Sequence, residues 1–574
     1  MEANSKLSPD DKEASEMLVD QSNAKIDILL QEGPQNNGDT VISIAEVSQA
    51  FVGMGKEELM KFANDPFWVK LRWFLFALFW LMWLGMLAGA VAIIFFAPKC
   101  SPPVQEPLGD QALYQVDLGD YYDQKENPIK AFENKVHYLE ELGVTSVLFN
   151  SLMKSSEEGL DHVVDFKQLH PELGTLDQLK NLLTMLKEKG MHTFLKVVPN
   201  FSSIHHEWFN KSVSNIPPFN DYYVWKEGKT SDDPPNNWLS VTGGKAWTWN
   251  NERQLFYLHQ FKETQPDLNF RNKDVVNYFK DVFKNWLDVG FDGIHVDKVE
   301  YLFEDEQLED EYIDHTVQNK IHDDYLFWTH LKTTYLDESI ECLKEWSETI
   351  RNASGLVSAT GVMENNDANV DLAYLPFTGS SEPVEIIQHL QNYINHNLER
   401  QNKTWLWEID GLGEEEAFAM DALMLLLPGS TMLNNGRELN LKNLTSLSVN
   451  EEASSAEHNE TVMKVDLLEY YKEMINVKKS LTPTEYKTKL GYTENLLLLA
   501  RLNEKSEGYV FLSDIGEGEG VTLSANYPNV NNFVPILYST YFKRNNPDLF
   551  ADKKNGSVTH VSMSPYSYVL FKCN

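Results

Sequence analysis

Residues 275–297 read VVNYFKDVFKNWLDVGFDGIHVD, and this stretch decides the fold. Apolar side chains in its first part recur at helical spacing, which predicts a helix over Val275–Val289 that stops at Gly290. The short apolar run that follows predicts a buried strand at Ile294–Val296, and Asp297 comes directly after it. A helix leading into a buried strand is typical of repeated βα units.

The same alternation of amphipathic segments and short apolar runs extends over residues 112–484. It predicts further helices at Leu176–Lys187 and Tyr335–Ile350. The remaining buried strands are predicted at Ala112–Val116, Ser146–Phe149, Thr193–Val198, Leu356–Ala359, Leu372–Leu375, Trp405–Ile409 and Thr431–Leu433. Eight strands with intervening helices indicate an α/β fold of the (β/α)8 TIM-barrel type.

Two regions depart from this alternation. Residues 200–268, between the third and fourth strands, are rich in Pro, Asn and Trp and too long for a simple connection, so we expect an inserted subdomain. From about residue 485 the helical period fades, and alternating runs predict a C-terminal antiparallel β-sandwich over residues 485–574. Its predicted strands are Leu496–Leu502, Tyr509–Leu512, Phe533–Leu537 and Tyr568–Phe571.

One segment is apolar enough to cross a membrane, because no charge interrupts the chain between Arg72 and Lys99. We assign residues 73–98 to a single transmembrane helix, since about 20 apolar residues span a bilayer. Gly85 and Gly89 place small residues on one face of this helix, which permits close packing against another helix. Residues 1–72 are then a largely disordered cytoplasmic tail and residues 99–111 an extracellular neck.

The orientation follows from the flanking charges, because Lys61, Lys70 and Arg72 precede the segment and only Lys99 follows it. The positive-inside rule therefore predicts a type II plasma-membrane protein with a cytoplasmic N-terminus. Asn-x-Ser/Thr sequons lie only beyond the segment, as expected for an extracellular part. The glycosylation candidates are Asn210, Asn352, Asn402, Asn443, Asn459 and Asn555, while Asn200 lies in a motif that is expected to be buried.

The net charge and the cysteine content limit the classes of partner expected for this chain. A net charge of −37 excludes nucleic acid as an expected partner, because phosphate binding needs clustered Lys and Arg. Three cysteines cannot all pair within the chain in an oxidising exterior, so one is left over. Cys100 follows the membrane segment closely, and only a partner that is itself at the membrane can readily reach it. A free or lipidated thiol is the alternative.

The barrel resembles the α-amylase and α-glucosidase family over residues 112–574. The resemblance lies in Val197-Val-Pro-Asn200, in Gly290–Asp297 and in Leu427-Pro-Gly429. Residues 138–146 resemble the family's second βα entry, and residues 166–179 resemble the approach to its third strand. The resemblance implies a glycosidase barrel, whose retaining mechanism needs two carboxyl groups about 5 Å apart.

The resemblance also implies that this machinery is lost. Asp297 occupies the nucleophile position and Asp410 that of the third carboxylate, but Leu356–Gly361 carries no general acid at the end of the fifth strand. Glu364 lies three residues further on, and a misplacement of about 1 Å already costs about 100-fold in rate. We predict no catalytic residues, with Asp297 and Asp410 as relics; simple polarity of the barrel mouth is the preferred explanation for both.

Two other departures from the family pattern also point to a loss of catalysis. Lys196 stands where the family has Asp, and His295 stands where it has Arg. The loop Tyr121–Pro128 also lacks the spaced oxygen ligands that a calcium site requires. We therefore predict neither a metal site nor a cofactor.

The whole architecture resembles the heavy chains of heteromeric amino-acid transporters. Residues 67–73, 79–94 and 97–100 are similar to the cell-surface-antigen heavy chain, and residues 217–223, 236–240 and 265–271 to the renal cystine-transport heavy chain. The resemblance implies a non-catalytic subunit that Cys100 links by a disulfide to a multi-pass light subunit, which it escorts to the plasma membrane. The alternatives are a membrane-anchored α-glucosidase and a receptor or adhesion scaffold.

Overall fold

The structure is a computed structural model, and the chain divides into two units, residues 1–100 and 101–574. The residues that it describes are 60–61, 65–96, 111–122, 126–362, 369–378, 390–391, 404–410, 414–436, 457–481, 486–492, 496–514, 520–522, 530, 533–538, 546, 560–563 and 567–573.

The described helices, in chain order, are α1 Pro66–Phe96, α2 Pro128–Glu133, α3 Val136–Leu142, α4 Leu176–Glu188, α5 Glu207–Val213, α6 Lys273–Val289, α7 Asp337–Asn352, α8 Glu414–Leu426 and α9 Glu457–Ser480. The described strands are β1 Ala112–Val116, β2 Ser146–Phe149, β3 Met153–Ser155, β4 Val163–Leu169, β5 His192–Val197, β6 Trp225–Lys226, β7 Trp247–Asn250, β8 Leu255–Leu258, β9 Gly293–Val296, β10 Leu356–Ala359, β11 Leu372–Thr378, β12 Thr404–Asp410, β13 Ser430–Asn434, β14 Lys487–Tyr492, β15 Leu496–Leu502, β16 Gly508–Asp514, β17 Gly520–Thr522, β18 Phe533–Tyr538, β19 His560–Ser562 and β20 Tyr568–Cys573.

The N-terminal helix α1 begins earlier than the sequence predicts. Pro66 occupies the first helical position, and the side chain of Asp65 accepts a hydrogen bond from the Phe67 amide at 3.0 Å, which satisfies an unpaired donor of the first turn. Residues 66–72 therefore belong to this helix. Within the part of the chain that the structure describes, the 25 residues Pro66–Ala90 are the one helix long and apolar enough to cross a membrane.

Eight parallel strands form a closed barrel, which confirms the predicted TIM-barrel fold. They follow one another in the order β1-β13-β12-β11-β10-β9-β5-β2. Their inward side chains fill the interior with an apolar layer that includes Leu113, Phe194, Leu356 and Met432. Gly293 on β9 is required there, because a Cβ atom at this position would come within 2.5 Å of the Phe194 ring.

Helix α6 shows how the outer layer is held. Its buried side chains lie on one apolar face, as the period of residues 275–289 predicts, and include Phe279, Phe283 and Trp286. Asn272 caps its first turn, and Gly290, at φ 131°, ends it with a conformation that favours glycine. The chain then enters β9 directly, so Asp297 leaves the strand at the barrel mouth.

Between β5 and β9 lies the predicted insertion, and its core is the antiparallel sheet β6-β8-β7. Trp238 and Trp247 stack in this region with ring centroids 5.9 Å apart. The antiparallel hairpin of β3 and β4 is an element that the sequence does not predict. Its pairing shifts register twice, so the period-2 pattern that normally reveals a strand is broken.

Beyond residue 485 the described strands are antiparallel, as predicted. Five of them form the sheet β14-β15-β16-β20-β18, and β17 pairs with β19. A second apolar core, with Val510, Val569 and Phe571, lies within this region.

Candidate functional site

The carboxyl ends of three neighbouring barrel strands build the candidate site. β5 pairs with β9 so that Lys196 lies opposite His295, and β9 pairs with β10 so that Ala359 lies opposite Val296. Asp297 therefore follows β9 beside Lys196, and Thr360 follows β10 on its other side. In TIM barrels this end of the strands is where reactive side chains meet.

Lys196 and Asp297 form an ion pair in which Nζ lies 2.8 Å from Oδ2. The side chain of Asp297 is 9% exposed and that of Lys196 24% exposed, so water screens the pair little. Burial alone would raise the pKa of Asp297, but the Lys196 ammonium holds this pKa well below its usual range. Burial alone would lower the pKa of Lys196, but Asp297 raises it. Both groups therefore carry their charges.

The second oxygen of Asp297 is also occupied. Its Oδ1 accepts hydrogen bonds from the Lys298 amide at 3.0 Å and from the Thr360 hydroxyl at 3.2 Å. A glycosidase nucleophile must present an oxygen to the sugar carbon, whereas this carboxylate is bound on both oxygens. The arrangement holds Asp297 in place and lowers its nucleophilicity.

The described residues that follow β10, Thr360–Val362, carry no carboxyl group, as the sequence indicates. Glu364 lies outside the described residues. Asp410 ends β12, but its side chain also lies outside the described part of the chain, so its role as a relic stays a prediction. Glu408, two residues earlier, is buried and contributes to the raised pKa of Lys196.

Glu300 is a carboxyl group near the site that sequence reasoning missed. Its Oε2 lies 3.5 Å from the Thr360 hydroxyl, which also contacts Asp297, and burial raises the pKa of Glu300 to about 7. Gly361, at φ 69°, covers it so closely that a Cβ atom there would come within 2.4 Å of Oε2. Asp297 and Glu300 stand three residues apart in the chain and both contact the Thr360 hydroxyl, which differs from two carboxyl groups held on opposite sides of a sugar.

His295 is buried within the barrel and is not placed as a substrate-binding cation would be. It is 1% exposed, and its Nδ1 is 2.9 Å from the Ser358 hydroxyl. Burial lowers its pKa to about 4, so the imidazole is neutral at physiological pH. It therefore does not supply the positive charge of the arginine that it replaces.

Among the described residues, two buried oxygens without a hydrogen-bond partner form a place that could hold a cation. Oδ1 of Asn200 and Oδ1 of Asp267 are buried and accept no hydrogen bond from the described residues. Backbone pairing of Phe201 with Asp267 brings them to one region, and the nearby Glu304 raises the pKa of Asp267 further than burial does alone. Oxygen ligands of this kind suit a hard cation such as calcium.

Other observations bear on the predicted absence of a metal. No group of three or more His, Cys, Asp or Glu side chains that could hold an ion occurs among the residues described here. The loop Tyr121–Pro128 lies partly outside them. The absence of a metal site therefore stays a prediction, and the amide oxygen of Asn200 is the ligand that a search for charged groups overlooks.

The buried Glu304 makes stability depend on pH. Burial raises its pKa from 4.5 to about 7, so the folded chain holds this proton where the unfolded chain has lost it. Stability should fall as the pH rises from about 5 to about 7, by on the order of 3 kcal/mol from this group, and stay level above. We expect Glu304→Gln to remove this group's share of the decline in melting temperature with pH, whereas the shares of Glu300 and Asp267, whose pKa values are also raised by burial, remain.

The exposed Glu306 offers the matched control, since Glu306→Gln should leave the pH dependence unchanged. The assignment would be contradicted if the melting temperatures of Glu304→Gln and of the parent chain fell equally as the pH rises.

Melting temperatures measured with calcium at about pH 8 test the orphaned oxygens of Asn200 and Asp267. A bound cation offsets the repulsion between ionised carboxylates and should raise the melting temperature, and Asp267→Asn should abolish any gain.

The predicted glycosylation sites differ in exposure and in whether the structure describes them. Asn210 and Asn352 are exposed, Asn459 lies on α9, and Asn402, Asn443 and Asn555 lie outside the described residues. Asn200 is 2% exposed and its Nδ2 donates to the Lys298 carbonyl at 2.8 Å, so it is not accessible to a glycan.

The three cysteines also differ in whether the structure describes them. Cys342 and Cys573 are both buried, and burial raises the pKa of Cys573 to about 12. A thiol with so high a pKa is unreactive at neutral pH. Cys100 lies outside the described residues, so its pairing stays a prediction.

The barrel with its inserted sheet and antiparallel C-terminal sheet defines the class of protein, a glycoside-hydrolase-type fold of the α-amylase kind. The family model described as alpha amylase, catalytic domain, matches residues 129–380. The crystal structure of the α-glucosyl transfer enzyme XgtA superposes with a TM-score of 0.64 over 82% of this chain and 100% of that chain, at 18% identity. Trehalose-6-phosphate hydrolase from Bacillus licheniformis gives 0.63 at 16% identity, over 82% of this chain and 100% of that chain.

The N-terminal segment narrows the class further, because residues 39–112 match the model described as solute carrier family 3 member 2 N-terminus. Amino acid transporter heavy chain SLC3A1 of Homo sapiens is 28% identical over 442 residues, 70% of this chain and 63% of that protein. These matches support the transporter heavy-chain family, with an α-amylase-like domain.

Maltases are similar as well. Maltase 1 of Drosophila virilis is 31% identical over 359 residues, and Maltase A2 of Drosophila melanogaster is 26% identical over 546 residues. The chain spans 56% of the length of Maltase 1 and 94% of Maltase A2, with 56% and 80% of its own residues aligned. The comparisons therefore include both transporter heavy chains and enzymes, and the site itself must discriminate between them.

Proposed function

We propose that this chain is the non-catalytic heavy subunit of a heteromeric amino-acid transporter. Cys100 forms a disulfide with a multi-pass light subunit, and the chain stabilises that subunit and escorts it to the plasma membrane. The N-terminus is cytoplasmic and the barrel extracellular, in a type II arrangement with glycans at accessible sequons. The observation that carries the non-catalytic part is the ion pair of Lys196 with Asp297 at 2.8 Å.

The membrane helix supports the partner role through its two unlike faces. Trp73, Phe76, Trp80 and Trp83 form a chain of edge-to-face ring contacts with centroids 5.8–6.3 Å apart. At about 100° per residue, Gly85 and Gly89 lie on the opposite side. We assign the glycine face to the light subunit, since small residues permit close helix approach.

This assignment predicts a loss of surface delivery. Gly85→Leu combined with Gly89→Leu should lower the amount of light subunit at the cell surface by roughly tenfold, because about 1.4 kcal/mol of helix packing is lost. Surface biotinylation of the light subunit measures this. Trp80→Leu on the opposite face is the matched control and should have little effect. Equal delivery with both variants would reject the glycine face as the contact.

A second prediction concerns catalysis. The purified chain should release glucose from maltose no faster than its Asp297→Asn variant, because Asp297 is bound on both oxygens and no described acid faces it across a sugar. A coupled glucose assay over hours measures this, with an active maltase as the positive control.

The runner-up function is a membrane-anchored α-glucosidase, and one observation favours it. Glu300, with its pKa raised to about 7, is suited in protonation state to general-acid catalysis. The Glu300→Gln variant separates the two readings. If the parent chain hydrolyses maltose and both Asp297→Asn and Glu300→Gln abolish that activity, the enzyme reading replaces the non-catalytic one.

A further inference from the structure

The loop between β9 and α7 is built as a rigid surface although it contains no long helix or strand. Glu311 is 4% exposed and lies at its centre. Its carboxylate accepts hydrogen bonds from the Lys332 amide at 2.7 Å and from the hydroxyls of Thr329 and Thr333 at 3.1 Å each. One buried carboxylate thus ties the centre of the loop to its C-terminal part.

The inserted subdomain fixes the same loop from outside. Asn236 Nδ2 donates to the Leu308 carbonyl at 3.1 Å, and Trp238 Nε1 donates to the Glu309 carbonyl at 2.9 Å. Lys332 Nζ adds ion pairs with Asp305 at 3.2 Å and with Glu309 at 2.6 Å. A loop held at so many points loses little conformational entropy when it binds a partner.

This rigid loop turns large apolar side chains to the outside. Exposed fractions of 40–69% are found for the five residues of what we call the apolar loop surface, Tyr312, Ile313, Ile321, Leu326 and Leu331. Apart from the neighbouring Tyr335, the other exposed large apolar side chains described beyond residue 100 are scattered singly, at Tyr122, Leu176, Ile216, Val241 and Val534. Exposed apolar residues that cluster mark interaction sites, whereas single ones do not.

Two contacts bring the members of this surface together. Ile313 pairs with Trp328 in an isolated β-bridge, and Trp328 Nε1 donates to the His322 carbonyl at 3.0 Å. Tyr312 and Ile313 therefore lie beside the segment that carries Ile321 and Leu326.

The charge around the apolar loop surface is strongly negative. From Glu304 to Lys332 the sequence has nine Asp and Glu residues and two Lys residues. A second copy of this chain would bring the same acids face to face, and an anionic lipid surface would be repelled. The complementary partner is a segment with Lys or Arg beside apolar side chains.

We propose that the apolar loop surface is the docking site for such a basic and apolar extracellular segment of the light subunit. This inference rests on the proposed function and adds to it the surface of the barrel domain that holds the partner. Apolar burial would supply the binding energy, while the surrounding acids steer the partner and fix its register.

The test uses the full chain carrying Cys100→Ser, co-expressed with the light subunit, so that only non-covalent association is measured. Combining Ile321→Ser, Leu326→Ser and Leu331→Ser should lower recovery of the light subunit in mild detergent at least about tenfold. Leu176→Ser with Ile216→Ser removes exposed apolar side chains elsewhere and should leave recovery unchanged. Melting curves of each variant verify folding.

A charge variant keeps the test independent of folding. Glu306→Lys with Asp323→Lys alters two exposed acids, and it should lower recovery several-fold at low salt and less at high salt. Unchanged recovery with both variant sets overturns the docking site, and so does a change confined to self-association of this chain. If the chain with Cys100 intact recovers no light subunit at all, the proposed function fails, and the inference with it.

Discussion

Cys100→Ser is expected to remove a disulfide-linked species from non-reducing gels of the full chain taken from its native membrane. Without reductant, the parent chain should migrate heavier by about one multi-pass subunit, and reductant should return it to its own mass. The reason is that Cys342 and Cys573 are buried thiols, so they are not accessible to another protein. Only Cys100 remains for an intermolecular bond, and the effect on the linked species is all or none.

Cys342→Ala is the matched control for this experiment, because it removes a thiol that cannot reach a partner. The linked species should persist in that variant. A monomer in every lane, including that of the parent chain, would contradict the covalent partnership and return the receptor-scaffold and enzyme alternatives to consideration.

Lys196→Met is expected to destabilise the barrel by about 3–5 kcal/mol, since removing one partner of a buried ion pair leaves the other charge uncompensated. Asp297 is 9% exposed and would then keep its charge without the ammonium that lies 2.8 Å away. The double variant Lys196→Met with Asp297→Asn should regain most of the loss, because neither charge remains. Urea midpoints of the four chains give the coupling between the two residues.

The ion pair of Lys187 and Asp292, whose lysine is exposed, is the control for this cycle. Its lysine is 71% exposed and the atoms lie 3.3 Å apart, so Lys187→Met should cost less than about 1 kcal/mol. If Lys196→Met is no more destabilising than Lys187→Met, the ion pair does not hold Asp297, and it no longer explains why Asp297 would be a poor nucleophile.

Local patterns were enough to predict most of the barrel. The apolar period of residues 275–289, the glycine that follows and the short apolar run before Asp297 specify helix α6 and strand β9 without reference to any distant residue. Such elements are readable because burial on one face imposes a fixed spacing of apolar side chains. The same reasoning failed for the hairpin of β3 and β4, whose irregular register breaks that spacing.

That residues 356–361 contain no carboxyl group could also be read from the sequence, because an absent residue type needs no geometry. The ion pairing of the remaining carboxylate, Asp297, could not be read from the sequence. Lys196 was recognised as a departure from the family pattern, but its role depends on β5 and β9 being neighbours in the closed barrel. Strand order is set by the whole fold, and no local pattern encodes it.

Burial likewise belongs to the tertiary structure. The raised pKa of Glu300, its shared contact with Thr360 and the orphaned oxygens of Asn200 and Asp267 all arise because chain segments far apart in sequence exclude water from one another. The apolar loop surface has the same origin, because nothing in the sequence pattern of its residues indicates that they are exposed together. Only the hydrogen bonds of Glu311 with Thr329, Lys332 and Thr333 hold the loop in the shape that leaves those side chains outside.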